Sequence, residues 1–224
     1  MAKPKHRLLF TKGGRARFIS HLDLMATFQR VFLRAEVPIW QTQGFNKHAY
    51  VSIVLPLSVG YSSDCELLEF NLGEGMDMAE VPERMNACIP EGIRVLRCYA
   101  IEKPIKQLAE IDWTVTMEYD HGVPGGAVAG INRLLDRESL VIQKKSKKAK
   151  RGYTEIDLIP MIHAWEMTPE DDVIRVHARL MAQNPGLNPA VILDTIRNHC
   201  PEAAPDFVRY HRNEIFDLHG KVFR

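Results

Sequence analysis

Residues Phe18–Pro56 read FISHLDLMATFQRVFLRAEVPIWQTQGFNKHAYVSIVLP. The stretch decides the fold, because it holds a helix, a polar loop and a buried strand in sequence. Leu24, Met25, Phe28, Val31, Phe32 and Ala35 recur at helical spacing and form one apolar stripe. Ser20 stands at the N-cap, with Asp23 three residues on in the capping-box position. Pro38 stops the helix, which is expected over about residues 21–36. Asp23, Thr27, Arg30 and Arg34 fall off the stripe, so the exposed face turns basic toward its end. The loop from Gln41 to His48 then gathers amide, glycine, aromatic, lysine and imidazole groups, a mixture that no simple connection needs.

Around this stretch the periodicity switches between two and 3.6 residues. Residues 5–11 read as a strand, Lys12-Gly13-Gly14 as a turn, and residues 49–57 as a second strand. A third strand is expected over 64–72, a second helix over 77–89 with Pro82 early in it, and a fourth strand over 93–101. That order is β-α-β-β-α-β, the split βαβ of ferredoxin-like folds. The pattern restarts after a connector at 103–110. A strand at 111–119 and a helix at 125–137 are followed by two short strands, 140–145 and 152–160, joined by a basic run. Residues 161–167 extend the second of these or form another strand. A strand at 173–182, a helix at 189–200 capped by Asn188, and a strand at 207–216 complete the chain. The expected fold class is α+β: two tandem ferredoxin-like domains, the second with an inserted basic β-hairpin. The expected division is 1–103 and 104–224.

Composition fits a globular chain: 224 residues, 46% hydrophobic and 25% charged. No apolar run approaches the roughly 20 residues of a membrane-spanning helix. MAKPKHRLLF has no signal-peptide core, so the expected location is cytoplasmic. The net charge of +1 hides strong local asymmetry. Residues 1–22 carry six lysines and arginines and no acid. Residues 64–91 carry eight acids against Arg84 alone, and 144–151, KKSKKAKR, carry six bases and no acid. Cys65, Cys88, Cys98 and Cys200 form no CxxC pair, so no metal site and no cofactor is expected from them. No GxSxG, P-loop or GxGxxG motif is present. Nor is there a CxxxCxxC segment.

The pattern FISHLDLM…F.R….AE.P…TQGFN.H…S..LPL..G..S..E.LEF.L resembles a bacterial family, the radical SAM-linked domain of unknown function 2344. The resemblance covers about residues 5–100 clearly and the rest weakly. It is carried by HLDLM (21–25), QGFNKH (43–48) and LPLSVG (55–60) together. Lys47 and Ala49 stand where the family loop carries proline. The family has no settled biochemical activity. The resemblance implies a B12-binding radical SAM enzyme as partner, acting in trans, since this chain lacks that enzyme's cysteine motif.

Four groups are candidate sites. The first is the loop, where Gln43, Phe45, Asn46, Lys47 and His48 could stack on and hydrogen-bond a base or phosphate. The competing reading buries Phe45 as a loop anchor and turns Asn46 and His48 to the loop backbone. The second is His21 with Asp23, joined by His48 if the loop folds back over the helix start. These are the weak catalytic candidates, against simple capping by Asp23. The third is Arg15, Arg17, Arg30 and Arg34, either phosphate contacts or a solvated face. The fourth is Lys144, Lys145, Lys147, Lys148, Lys150 and Arg151, an electrostatic finger for a polyanion or a solubilising run. The expected function is a non-catalytic RNA-binding or substrate-presenting accessory protein, with RNA or a ribonucleoprotein as partner and no membrane. The alternative is a stand-alone RNA-processing or RNA-modifying enzyme using His21 or His48.

Overall fold

The computed structural model describes residues 5–43, 45, 47–145 and 152–224, without the side chains of Lys144 and Lys145. The chain divides into two compact units. The first comprises residues 1–108, 211–214 and 221–224, and the second 109–210 and 215–220.

In the first unit the elements run β1 (His6–Lys12), α1 (His21–Arg34), β2 (Val51–Val54), β3 (Ser62–Phe70), α2 (Val81–Asn86) and β4 (Ile93–Ala100). β1 lies between β3 and β4, and β2 pairs with β3; all three pairings are antiparallel. The strand order is therefore β4-β1-β3-β2. The C-terminal strand, β10 (Phe207–Asp217), sets His211 and Arg212 parallel to Ser62 and Ser63 of β3.

Three boundaries are shorter than the sequence pattern predicts, each for a local backbone reason. α1 ends at Arg34 because Glu36 takes a left-handed φ of 53°. β2 stops at Val54 because Leu55 takes φ 49° and Pro56 has no N–H to donate. α2 starts only at Val81, with Glu80 at its N-cap and Pro82 in the first turn, where its missing N–H costs no helical hydrogen bond. The capping expectation for α1 holds. Ser20 Oγ accepts from the Asp23 N–H at 3.2 Å, and the Ser20 hydroxyl donates to the Asp23 carboxylate at 2.7 Å.

The core of this unit lies where α1 and α2 meet one face of the strands. Phe28 packs edge-on against Phe10 with ring centres 4.7 Å apart, and Phe32 meets Phe70 at 5.0 Å. All four rings are fully buried, each contributing roughly 1.5–3 kcal/mol of hydrophobic stabilisation. The strands also bury charge. Arg212 donates to Glu66 at 2.8 Å, with both side chains nearly inaccessible, and Arg7 pairs with Glu69. Lys12 is equally buried and donates to the Ile19 carbonyl at 3.3 Å. Burial pushes the Glu66 carboxyl above its ordinary range, against the pull of Arg212.

The second unit runs β5 (Leu108–Glu118), α3 (Ala127–Leu135), β6 (Val141–Lys145), β7 (Tyr153–Asp157), β8 (Ile162–Pro169), β9 (Val173–Met181) and α4 (Pro189–His199), followed by β10. Its strand order is β10-β5-β9-β8, and β6–β7 form a separate antiparallel hairpin. Residues 161–167 thus belong mainly to a strand of their own, β8, and not to the hairpin arm. Asn188 caps α4, its Oδ1 accepting from the Ala190 N–H at 2.9 Å. Ile174, Val176, Ala178 and Leu180 of β9 and Ile192, Leu193 and Ile196 of α4 are all fully buried. All four cysteines are free thiols, and burial pushes those of Cys65 and Cys98 up to about 12. Among the described residues no helix is long and apolar enough to cross a membrane.

Truncating one member of a buried ion pair leaves the other charge without compensation. Arg212→Ala is therefore expected to destabilise the protein by about 3–5 kcal/mol in urea unfolding. Arg84→Ala, which breaks an exposed pair with Glu80 at 3.1 Å, should change stability by less than about 0.5 kcal/mol. Equal effects of the two substitutions would contradict this reading of the buried pair.

Candidate functional site

The C-terminal half of α1, the segment after it and the end of β3 enclose an open trough of about 850 Å³ in the first unit. The volume is within the usual range for small-ligand pockets. Its wall on the α1 side is Ala26, Gln29, Arg30 and Leu33, which recur at helical spacing. Leu33 is 79% exposed, an apolar side chain left for something other than the core. Glu36, Pro38, Ile39 and Trp40 continue the wall, and Asn71, Leu72 and Gly73, paired with that segment, line the trough as well. Lys5, Arg30, Lys47 and His48 stand among the lining residues, with Glu36 the single acid there among the described residues.

Backbone pairing holds the segment after α1 in place. Ile39 bridges Leu72, and Gln41 bridges Ala49. The Trp40 N–H donates to the Asn71 carbonyl at 3.0 Å, and the Tyr50 N–H donates to the Trp40 carbonyl at 3.1 Å. The Trp40 and Tyr50 rings meet edge-to-face at 5.8 Å. Gln29 clamps the far side, donating from Nε2 to the Ala49 carbonyl at 3.1 Å. Gly73 is required here: a Cβ on it would lie 2.9 Å from the Pro38 Cβ. His6 accepts from the Leu72 N–H at Nδ1, 3.0 Å away, and so fixes one edge of the trough. Burial, with the nearby Lys5 charge, holds the His6 imidazole below its ordinary value of 6.5.

The loop itself closes on one side chain. The Thr42 N–H donates to the His48 carbonyl at 2.8 Å, and the His48 N–H donates to Thr42 Oγ1 at 3.2 Å. The His48 ring Nδ1 also lies 3.2 Å from that hydroxyl. His48 thus does part of what the competing loop reading expects. Phe45 does not: it is fully exposed and anchors nothing in the core. Gln43 and Lys47 are exposed too, while Asn46 lies outside the described residues.

The other sequence candidates divide. Arg30 lines the trough and Arg34 does not, although both are exposed. Arg15 is exposed on the short turn before α1, and Arg17 lies over the Phe18 ring at 4.8 Å. Asp23 serves the helix cap. Among the described residues no three His, Cys, Asp or Glu side chains gather as a metal-binding set, so His21, Asp23 and His48 form none. Of the basic run, Lys144 and Lys145 extend β6 opposite Thr154 and Tyr153. Lys147, Lys148, Lys150 and Arg151 lie outside the described residues.

Sequence reading missed Lys5, Gln29, Glu36, Trp40 and Asn71 as parts of one site, because they come from separated segments. The AE-P and TQ positions of the motif were the available signal. It also missed a hydrogen-bonded series: Ser62 Oγ lies 2.8 Å from His211 Nδ1, and His211 Nε2 lies 3.0 Å from Asp64 Oδ2. Asp64 and His211 line a second pocket of about 310 Å³, but Ser62 does not. The series ties β10 to β3 without presenting the hydroxyl to that pocket.

Comparison with solved structures finds a likeness to a chain in a Cbf5-Nop10-Gar1 complex. The TM-score is 0.54 at 7% identity, over 95% of this chain and 49% of that one. At that identity the likeness is one of fold alone, and this chain spans about half the length of its match. An unknown protein from Galdieria sulphuraria gives a TM-score of 0.27 at 9% identity, over 94% of this chain and 99% of that one, too low to carry an argument. No curated protein matches the chain. The model of a family described as an uncharacterized protein conserved in bacteria, DUF2344, matches residues 5–189. The chain belongs to this family.

The role of His6 makes a pH prediction. A histidine held neutral in the fold adds stability above its unfolded value, and that stability is lost as pH falls below about 6.5. Thermal unfolding between pH 8 and pH 5 should show a decline that His6→Gln reduces. An identical pH profile for the variant would refute the assignment.

Proposed function

We propose that this protein is a non-catalytic RNA-binding accessory factor whose first unit takes single-stranded RNA along the trough beside α1. The observation that carries the reading is a mostly apolar trough with Lys5, Arg30, Lys47 and His48 in its lining and a fully exposed Phe45 in the adjoining loop. Bases that leave a stack need aromatic or apolar surface, and the phosphates between them need cations. Trp40, Leu33 and Phe45 supply the first; Lys5, Arg30 and Lys47 supply the second. The basic run of residues 144–151 adds a second, sequence-indifferent phosphate contact.

The same reading takes both units as ferredoxin-like, on the recurring element order and the equivalent strand orders β4-β1-β3-β2 and β10-β5-β9-β8. It places the protein in the cytoplasm. The family resemblance adds a B12-binding radical SAM enzyme as a partner in trans, to which this protein would present its RNA.

Fluorescence anisotropy across a salt series tests the proposal. Single-stranded RNA should bind more tightly than duplex DNA, with a steep loss as salt rises. Arg30→Glu combined with Lys47→Glu should weaken binding at least tenfold and flatten the salt slope by about 1.4, at roughly 0.7 per lost single-strand phosphate contact. RNA binding that is absent at low salt, or unchanged in the double variant, would refute it.

A further inference from the structure

We infer that Glu36 reads a guanine base in this trough, an inference that rests on the RNA-binding reading above. Glu36 occupies the position just past the C-cap of α1, with its N–H donating to the Leu33 carbonyl at 3.2 Å. Its φ of 53° is left-handed. Glycine is the usual occupant of that helix-terminal position, because a Cβ is strained there. A glutamate is kept in a conformation it disfavours, and strain of this kind points from the backbone to a functional side chain.

The surroundings say which function. The Glu36 carboxylate is the single acid in a lining that includes Lys5, Arg30, Lys47 and His48, and it is exposed. Among the described residues Glu36 belongs to no ion pair, unlike Glu66, Glu69 and Glu80 of the same unit. An acid used for charge balance would be paired with one of those cations. A carboxylate left open beside an apolar wall is instead an acceptor-only group awaiting N–H donors.

Among the four RNA bases, guanine offers two adjacent N–H donors, N1–H and the N2 amino group, on one edge. Both carboxylate oxygens can accept from them at once. Adenine sets an acceptor beside its amino group, and so does cytosine. Uracil has a single N–H flanked by two carbonyls. The carboxylate therefore favours guanine and repels the acceptor-bearing edges of the others. Trp40 and Leu33 cover the ring face, and Arg30 and Lys47 meet the flanking phosphates.

The test compares short oligouridines carrying one central guanosine, inosine or adenosine, with all-uridine RNA as reference, by anisotropy at fixed salt. Inosine lacks only the N2 amino group. The guanosine oligomer should bind roughly tenfold more tightly than the inosine and adenosine ones, as one bidentate base contact allows. Glu36→Gln should bring the guanosine, inosine and adenosine oligomers within about twofold of one another. Glu36→Gly should lose the same preference and raise Tm by a few degrees, roughly what relief of a left-handed side chain gives in a chain of this size. Equal binding of the guanosine and inosine oligomers, or a guanine preference that survives Glu36→Gln, would overturn the inference while leaving RNA binding in place. Failure of every oligomer to bind would overturn both.

Discussion

Two aromatic contacts set the geometry on which the rest of the first unit depends: Phe28 on Phe10, and Phe32 on Phe70. They lie one helical turn apart on α1 and reach neighbouring strands, so they fix both the position and the rotation of the helix. Once the helix is seated, Ala26, Gln29, Arg30 and Leu33 must look outward. The chain leaving α1 must then pass over the end of β3, where Ile39 and Trp40 pair with Leu72 and Asn71. The trough is the space left between that returning chain and the helix. Core packing, helix termination and site formation are thus one construction.

Local rules accounted for much of this in advance. The stripe on α1, the Ser20–Asp23 cap, the Asn188 cap and the separate hairpin all follow from neighbours within a few residues. Boundaries were misread where backbone conformation departs from side-chain pattern. Nothing in the apolar run before Pro56 announces that Leu55 turns left-handed, and nothing in AE-V-P says that Glu36 does. Long-range pairing was less legible still. His211 and Arg212 lie against Ser62 and Ser63 from nearly 150 residues away, and the burial of Glu66 makes sense only with Arg212 beside it.

The candidate site was half legible for the same reason. The loop at 41–48 stood out by composition, and Arg30 by its place off the stripe. Lys5 and Asn71 belong to strand ends whose sequence is unremarkable alone, and they enter the site only through the β1–β3 pairing. Phe45 shows the limit of type-based reasoning. An aromatic residue in a loop is as good an anchor as a platform until its exposure is known, and here it is fully exposed and anchors nothing.

The central claim is that RNA lies along α1 and its following loop. Ultraviolet cross-linking of single-stranded RNA to the full chain, with the joined peptides mapped by mass spectrometry, tests that claim directly. The account predicts cross-links at Phe45 and Trp40, suppressed by competing RNA. Cross-links confined to residues away from 26–50, or none under conditions where RNA is bound, would contradict it.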